Sequence, residues 1–284
     1  MKTLKTLLDR GELIVAPGVY DPISAKLAER AGFPVLYMTG FGTVAAHLGL
    51  PDAGLATYTE MVGRVAVIAG AVSVPVIADG DTGYGGLVNL RRTVQGYERA
   101  GAAGIQLEDQ LFPKKCGHTP GRQVIAADDM ADKIALACDT RQSDDFLIVA
   151  RTDARTAHGL DEALERAAAY AEAGADILFV ESPETEEEMA RIASELGRPV
   201  LANMVEGGRT PLLGRDRLAA LGFAMAIFPV TGLLASAAAL ERTYRTLAAE
   251  GSSAEAGLDL YPFAEMTRLM GFEEIWAFEK RWAR

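Results

Sequence analysis

Three observations predict a closed (β/α)₈ barrel: eight short apolar runs of strand length, a helix-ending glycine junction that recurs before several of them, and no Pro/Gly/Ser linker dividing the chain. The runs are residues 13–16, 34–38, 75–78, 104–107, 146–150, 177–180, 199–202 and 224–228. None alternates polar and apolar residues, as expected for strands covered on both faces of a parallel sheet. Ala/Glu/Arg-rich stretches with helical spacing, such as 161–173 and 184–196, lie between them. The junctions Glu29-Arg30-Ala31-Gly32, Glu98-Arg99-Ala100-Gly101, Ala171-Glu172-Ala173-Gly174 and Ala220-Leu221-Gly222 each read as a helix ended by a glycine, followed by a tight turn into a strand. One βα unit is thus used repeatedly. A doubly wound open sheet is the alternative architecture.

Two connections are long for such a fold, residues 40–57 after the second strand and 110–127 after the fourth. Both leave C-terminal strand ends, the face on which barrel enzymes build their sites. Beyond the eighth strand, residues 233–249 and 260–282 form two more helical segments than a barrel needs. The last, with Phe263, Met266, Leu269, Met270, Phe272, Ile275, Trp276 and Phe278, reads as amphipathic and needing cover from another subunit. The expected organisation is one barrel domain over residues 1–284, with helices 233–284 making oligomer contacts.

With 49% hydrophobic residues in 284, the chain can bury a full core. The net charge of −11, without a Lys/Arg run longer than two, argues against nucleic acid or an anionic membrane as partner. No uncharged run reaches the roughly 18 residues of a transmembrane span, and the charged N-terminus lacks the apolar stretch of a signal peptide. A cytoplasmic setting is expected. Cys116 and Cys138 stand in unlike surroundings and suggest no disulfide.

The residues closing the strands are Thr39, Asp79, Glu108, Arg151, Glu181, Asn203 and Pro229. Loops alone favour Gly, Asn, Asp and Ser, so Glu and Arg recurring one step past buried strands read as a ring of site groups. Asp79-Gly80-Asp81, followed on the next strand by Glu108-Asp109, offers oxygen ligands without His or Cys; that set suits a hard cation, Mg²⁺ before Zn²⁺, with Mn²⁺ as a substitute. Lys114-Lys115-Cys116-Gly117-His118 surrounds a thiol with cations, which favours the thiolate and allows proton exchange near neutrality. Arg151 and Asn203 are suited to hold carboxylates. Thr39 and Gly40 offer a hydroxyl and close backbone approach, and Thr152-Asp153-Ala154-Arg155 resembles a helix start with Asp153 a candidate cap. Gly83-Tyr84-Gly85-Gly86 does not continue into a nucleotide-binding pattern.

These residues resemble the isocitrate lyase/phosphoenolpyruvate mutase superfamily along essentially the whole chain. The resemblance rests on Tyr37-Met38-Thr39-Gly40-Phe41-Gly42, Leu48-Gly49-Leu50-Pro51-Asp52, Asp79 to Gly85, Leu107-Glu108-Asp109-Gln110, Lys114 to His118, Ala150 to Ala154, and Asn203 followed by Thr210-Pro211. It implies a (β/α)₈ barrel, a homotetramer exchanging its terminal helix, and Mg²⁺ held through Asp79, Asp81 and Glu108, partly through water. It further implies a lyase in which Cys116 protonates an enolate-like product, since mutases and oxaloacetate decarboxylases of the superfamily typically lack this cysteine. Tyr37, or a group reached through metal-bound water, is the expected base, with Glu181 orienting it or His118. Thr39, Gly40, Phe41, Asp79, Lys114, Gly117, Arg151 and Asn203 are expected around a 2-hydroxy or 2-oxo acid, with Phe41, Pro229, Thr231 and Leu234 lining the alkyl side. Similar methylisocitrate lyases carry an Arg near Leu233-Leu234; its replacement here points to a dicarboxylate of the 2-alkylmalate type. Methylisocitrate cleavage and oxaloacetate hydrolysis or decarboxylation are the alternatives.

Overall fold

A computed structural model describes residues 3–115, 117, 121–254 and 257–283. Eight parallel strands close into a barrel in sequence order: β1 (Ile14–Val19), β2 (Leu36–Met38), β3 (Val76–Asp79), β4 (Gly104–Glu108), β5 (Leu147–Thr152), β6 (Ile177–Val180), β7 (Val200–Asn203) and β8 (Met225–Phe228). Closure is made by β8 lying parallel to β1, with Ile14 opposite Met225 and Pro17 opposite Phe228. Every run singled out in the sequence overlaps one of these strands. The open-sheet alternative is thereby excluded.

Each strand buries both faces, and the two faces belong to different cores. Ile14, Ala16, Tyr37, Ile77, Leu147, Val149, Ile177, Phe179, Leu201, Met225 and Ile227 form the barrel interior. Their chain neighbours, among them Leu36, Met38, Ile105, Leu107, Ile148, Ala150 and Leu178, pack outward against the helices. Because side chains alternate along a strand, this parity decides what the next inward position will be at each strand end.

The predicted junctions hold: Gly101 (φ 93°) and Gly174 (φ 108°) take the left-handed conformation that ends one helix and turns the chain into a strand, and Gly32 and Gly222 do the same. The connection after β2 is more ordered than expected. Thr39 caps a helix, Gly40–Leu48, which ends at left-handed Gly49. A short N-terminal helix that periodicity did not reveal, Leu4–Leu8, buries Leu4 and Leu7 among the interior residues.

The chain divides into two compact units, Met1–Leu233 and Leu234–Arg284. The second contains most of the helix Thr231–Glu250, then Phe263–Leu269 and Phe272–Trp282. The single helical segment expected over 260–282 is therefore two helices, because Gly271 adopts φ 82° and interrupts the helical backbone. Phe263, Phe272, Ile275, Trp276, Phe278 and Trp282 are exposed on them. Among the described residues, no helix is long and apolar enough to cross a membrane.

Candidate active site

The inward parity of the strands carries the candidate residues into one place. On β5, Leu147 and Val149 face inward and Arg151 follows; on β6, Ile177 and Phe179 are followed by Glu181; on β7, Leu201 by Asn203; on β3, Ile77 by Asp79. Glu108 follows Gln106 on β4 in the same way. Asp79, Asp81, Glu108, Lys114, Arg151, Glu181 and Asn203 are all buried.

Two groups form at this mouth. In the first, Asp79 Oδ1 accepts from the Asp81 backbone N–H at 3.0 Å, and the left-handed Asp81 (φ 48°) turns its carboxylate toward Lys114 Nζ at 2.7 Å. Lys114 also pairs with Asp52. In the second, Arg151 makes a bidentate pair with Asp153 (Nε–Oδ2 and Nη2–Oδ1, both 2.9 Å) and reaches Glu108 Oε2 and Glu181 Oε2 at 3.3 Å each. Asn203 Nδ2 donates to Glu181 Oε2 at 3.0 Å. Gly117 belongs here too, since a methyl group on its Cα would overlap Arg151 Nη2 and Glu181 Oε2. Gly40 closes on the first group in the same sense: a Cβ there would meet Asp79 Oδ2.

The electrostatics are lopsided. Among the described residues, six carboxylates, of Asp52, Asp79, Asp81, Glu108, Asp153 and Glu181, gather around three cations, of Lys114, Arg122 and Arg151. Burial, reinforced by Asp81, pushes the Asp79 carboxyl up to about 6. Burial likewise raises Glu108 well above the usual carboxylate range against the pull of Arg151, and raises Asp52 against that of Lys114. Lys114 is held firmly protonated: burial opposes its charge, but Asp81, Glu108 and Asp52 outweigh it. The buried Glu108 Oε1 has no hydrogen-bond partner among the described residues. A hard cation fits this donor set, whose chemistry is a surplus of buried carboxylate oxygen. Among the described residues, no three His, Cys, Asp or Glu side chains form a ready-made metal cage.

Several sequence expectations change. Tyr37 projects into the barrel, where its hydroxyl donates to Gln106 Oε1 at 2.9 Å, and burial followed by the Asp79 charge raises its pKa well above 10. The neutral phenol is thus favoured over the phenolate. Asp153 occupies the cap position of helix Ala154–His158 without making a side-chain cap bond; its carboxylate turns to Arg151 and Arg122. Asp109 is on the outward parity, accepting from the Asp153 N–H, Thr152 Oγ1 and Tyr170 Oη, which removes it from the cation set. Thr39 spends its hydroxyl on capping at Gly42 N, and Phe41 is partly exposed. Pro229 backs onto Gly18, Thr231 Oγ1 donates to Glu206 Oε1, and Leu234 falls in the second unit. Cys116 and His118 lie outside the described residues. Sequence reasoning gave no role to Asp52, Gln106, Arg122 or Ser182. Gln106 was readable from its parity with Glu108; the other three meet the site only through folding.

Residues 4–248 match the family described as phosphoenolpyruvate phosphomutase. The chain belongs to that family. It is 50% identical to the 2,3-dimethylmalate lyase of Eubacterium barkeri over 280 residues, 99% of this chain and 97% of that one. It is 44% identical to the 2-methylisocitrate lyase of Aeropyrum pernix, over 98% of this chain and 88% of the relative. Among solved structures, that of oxaloacetate acetylhydrolase in complex with the inhibitor 3,3-difluorooxalacetate superposes with a TM-score of 0.92 at 36% identity, over 98% of this chain and 95% of that one.

Proposed function

We propose that this family member is a Mg²⁺-dependent carbon–carbon lyase that cleaves a 2-hydroxy dicarboxylate of the 2-alkylmalate type, such as 2,3-dimethylmalate, to a 2-oxo acid and a second carboxylate. The observation that carries this reading is the meeting, at one barrel mouth, of a carboxylate-rich pocket at Asp79, Asp81 and Glu108 with a carboxylate-gripping pair, Arg151 and Asn203. Full-length similarity to a 2,3-dimethylmalate lyase supports the same substrate class.

Asp79, Asp81 and Glu108 would hold the Mg²⁺ or Mn²⁺, partly through water. The cation, when bound, supplies the positive charge that favours alkoxide formation at C2 of the substrate. Arg151 Nη1, whose bond to Glu108 is long at 3.3 Å, is the guanidinium nitrogen left to meet a substrate carboxylate, while Nε and Nη2 stay locked on Asp153. Asn203, fixed by Glu181, presents its amide beside it. Once a group reached through water has taken the hydroxyl proton, the C2–C3 electron pair moves onto C3 and the adjacent carboxylate, releasing the 2-oxo acid and an enediolate. Cys116 delivers a proton to that carbon, with Lys114 and His118 as the flanking cations of its loop. Tyr37, as a neutral phenol, serves as a hydrogen-bonding group and leaves base duty to another residue.

Cys116→Ser should leave Mg²⁺ and pyruvate binding, read by calorimetry, near wild type while abolishing turnover; wild-type turnover in C116S would refute the assignment. Side-by-side assays with 2,3-dimethylmalate, 2-methylisocitrate, citramalate and oxaloacetate test the substrate class. Oxaloacetate hydrolysis is the second reading, favoured by the closeness of the fold to oxaloacetate acetylhydrolase, and oxalate release would identify it. We further propose a homotetramer in which the terminal helices exchange between subunits, covering the exposed aromatic residues of Phe263–Leu269 and Phe272–Trp282. Light scattering on the native and 1–258 chains tests it.

A further inference from the structure

Ser182 follows the buried Glu181 at the end of β6 and is itself fully buried. Its φ of 59° lies in the left-handed region, which penalises any residue with a Cβ. Glycine would occupy this backbone without strain. What serine adds at the position is a hydroxyl.

That hydroxyl is fully engaged. Ser182 Oγ donates to the Gly117 carbonyl at 3.0 Å across 65 residues of sequence, and lies 3.2 Å from Glu181 Oε1, which also accepts the Ser182 N–H at 2.8 Å. Arg122 Nη2 approaches the same Oγ at 3.4 Å. Arg122 is in turn fixed by Asp153 Oδ1 and Thr156 Oγ1, at 2.5 Å each. Gly117 has no side chain of its own with which to be held, and its Cα sits against Arg151 and Glu181. At Lys114, three residues earlier, the same segment is tied to Asp52 and Asp81 beside β3. It is thus anchored beside β3 by a side chain and beside β6 by a backbone carbonyl, and the second anchor depends on Ser182.

We propose that Ser182 is a positioning residue for the lyase reaction: its hydroxyl, steered by Glu181 and Arg122, fixes the Gly117 backbone against the Arg151–Glu181 pair. The proposal rests on the function assigned above. Gly117 directly follows the proposed proton donor, Cys116, in the sequence.

The test compares Ser182→Ala, which removes the hydroxyl and keeps the strain, with Ser182→Gly, which removes both. Each should lower kcat about ten-fold, the effect of losing one placed hydrogen bond, while KM for the acid stays within about two-fold. S182G should melt no lower than wild type, separating positioning from stability. Hydrogen exchange of peptides spanning residues 114–121 should accelerate in both. A kcat in S182G within about two-fold of wild type, or unchanged exchange, would overturn the proposal. If S182A fails to fold, the strain-free S182G carries the comparison alone. If the unsubstituted enzyme turns over none of the acids, the assigned function falls by itself, and the exchange data still decide whether Ser182 anchors Gly117.

Discussion

Lys114→Met tests the electrostatic account most directly, because methionine keeps the length of the side chain and removes its charge. Lys114 is 3% exposed and pairs with Asp52 and, at 2.7 Å, with Asp81. Without it those carboxylates stay buried while Asp79 and Glu108 lose a shared countercharge. Removing one partner of a buried pair costs about 3–5 kcal/mol. At roughly 2 °C per kcal/mol for a chain of this size, K114M should melt roughly 6–10 °C below wild type in EDTA at about pH 8. The deficit should also depend on pH. The Asp79 carboxyl, raised by burial and by Asp81 to about 6 from 3.8, binds its proton more tightly folded than unfolded. Its contribution to stability is therefore present at low pH and is lost as pH rises from the unfolded value through about 6. Losing Lys114 makes protonation easier still, so the deficit should shrink at about pH 5.5. Mg²⁺ should stabilise K114M more than wild type, since one less cation competes for the same oxygens. Calorimetric melts in the three conditions decide the matter; a deficit below about 1 kcal/mol, the worth of an exposed pair, or one independent of pH, would refute the reasoning.

Arg151→Lys should raise KM for a dicarboxylate by about ten-fold or more, since an ammonium cannot reproduce the bidentate lock on Asp153 while reaching toward Glu108; steady-state kinetics showing KM unchanged would remove Arg151 from the carboxylate grip. Far from the site, Glu29 accepts at 2.6 Å from both the N–H and the hydroxyl of Ser73, and these bonds, working against burial, hold its carboxyl below the usual range. Glu29→Gln should cost up to about 1 kcal/mol in urea unfolding at neutral pH. Because a lowered carboxylate pKa contributes stability above its unfolded value and loses it as pH falls through the folded one, the difference should fade below about pH 4; a constant difference down to pH 3 would show that the carboxylate charge is not involved.

The parts of this protein that were legible in the sequence are those set by local periodicity. Eight apolar runs became eight strands, and the glycine junctions fell where helices end, because hydrophobic length and backbone freedom are properties of short segments. The strand-end residues Asp79, Glu108, Arg151, Glu181 and Asn203 were legible for the same reason. Less legible was anything set by long-range partnership. Asp153 looked like a helix cap from its neighbours, and the fold shows its carboxylate bound instead by Arg151 and by Arg122, 31 residues earlier. Tyr37 reads as a candidate base in the sequence, and only the fold shows its hydroxyl donating to Gln106, 69 residues away. Ser182 carries no motif at all; its meaning lies in a backbone angle and in Gly117.

The alternation of inward and outward side chains links the two halves of the account. Inside the closed barrel the inward residues are apolar, as Leu147, Val149 and Ile177 are, or satisfy each other, as Tyr37 and Gln106 do. The first inward position above that packing is the first at which a charge can be met by partners from other strands, and Arg151 and Glu181 occupy it on adjacent strands. Their side chains are buried by the same packing that orients them, which is why their mutual distances are set by the barrel more than by their own loops. Loop residues are fixed differently: among the described residues, Lys114 is held at the mouth by Asp52 and Asp81, and Gly117 by the hydroxyl of Ser182. Changes to strand-end residues should therefore alter what the site binds, whereas changes to Lys114 or Ser182 should alter how firmly Lys114 and Gly117 are held at the mouth.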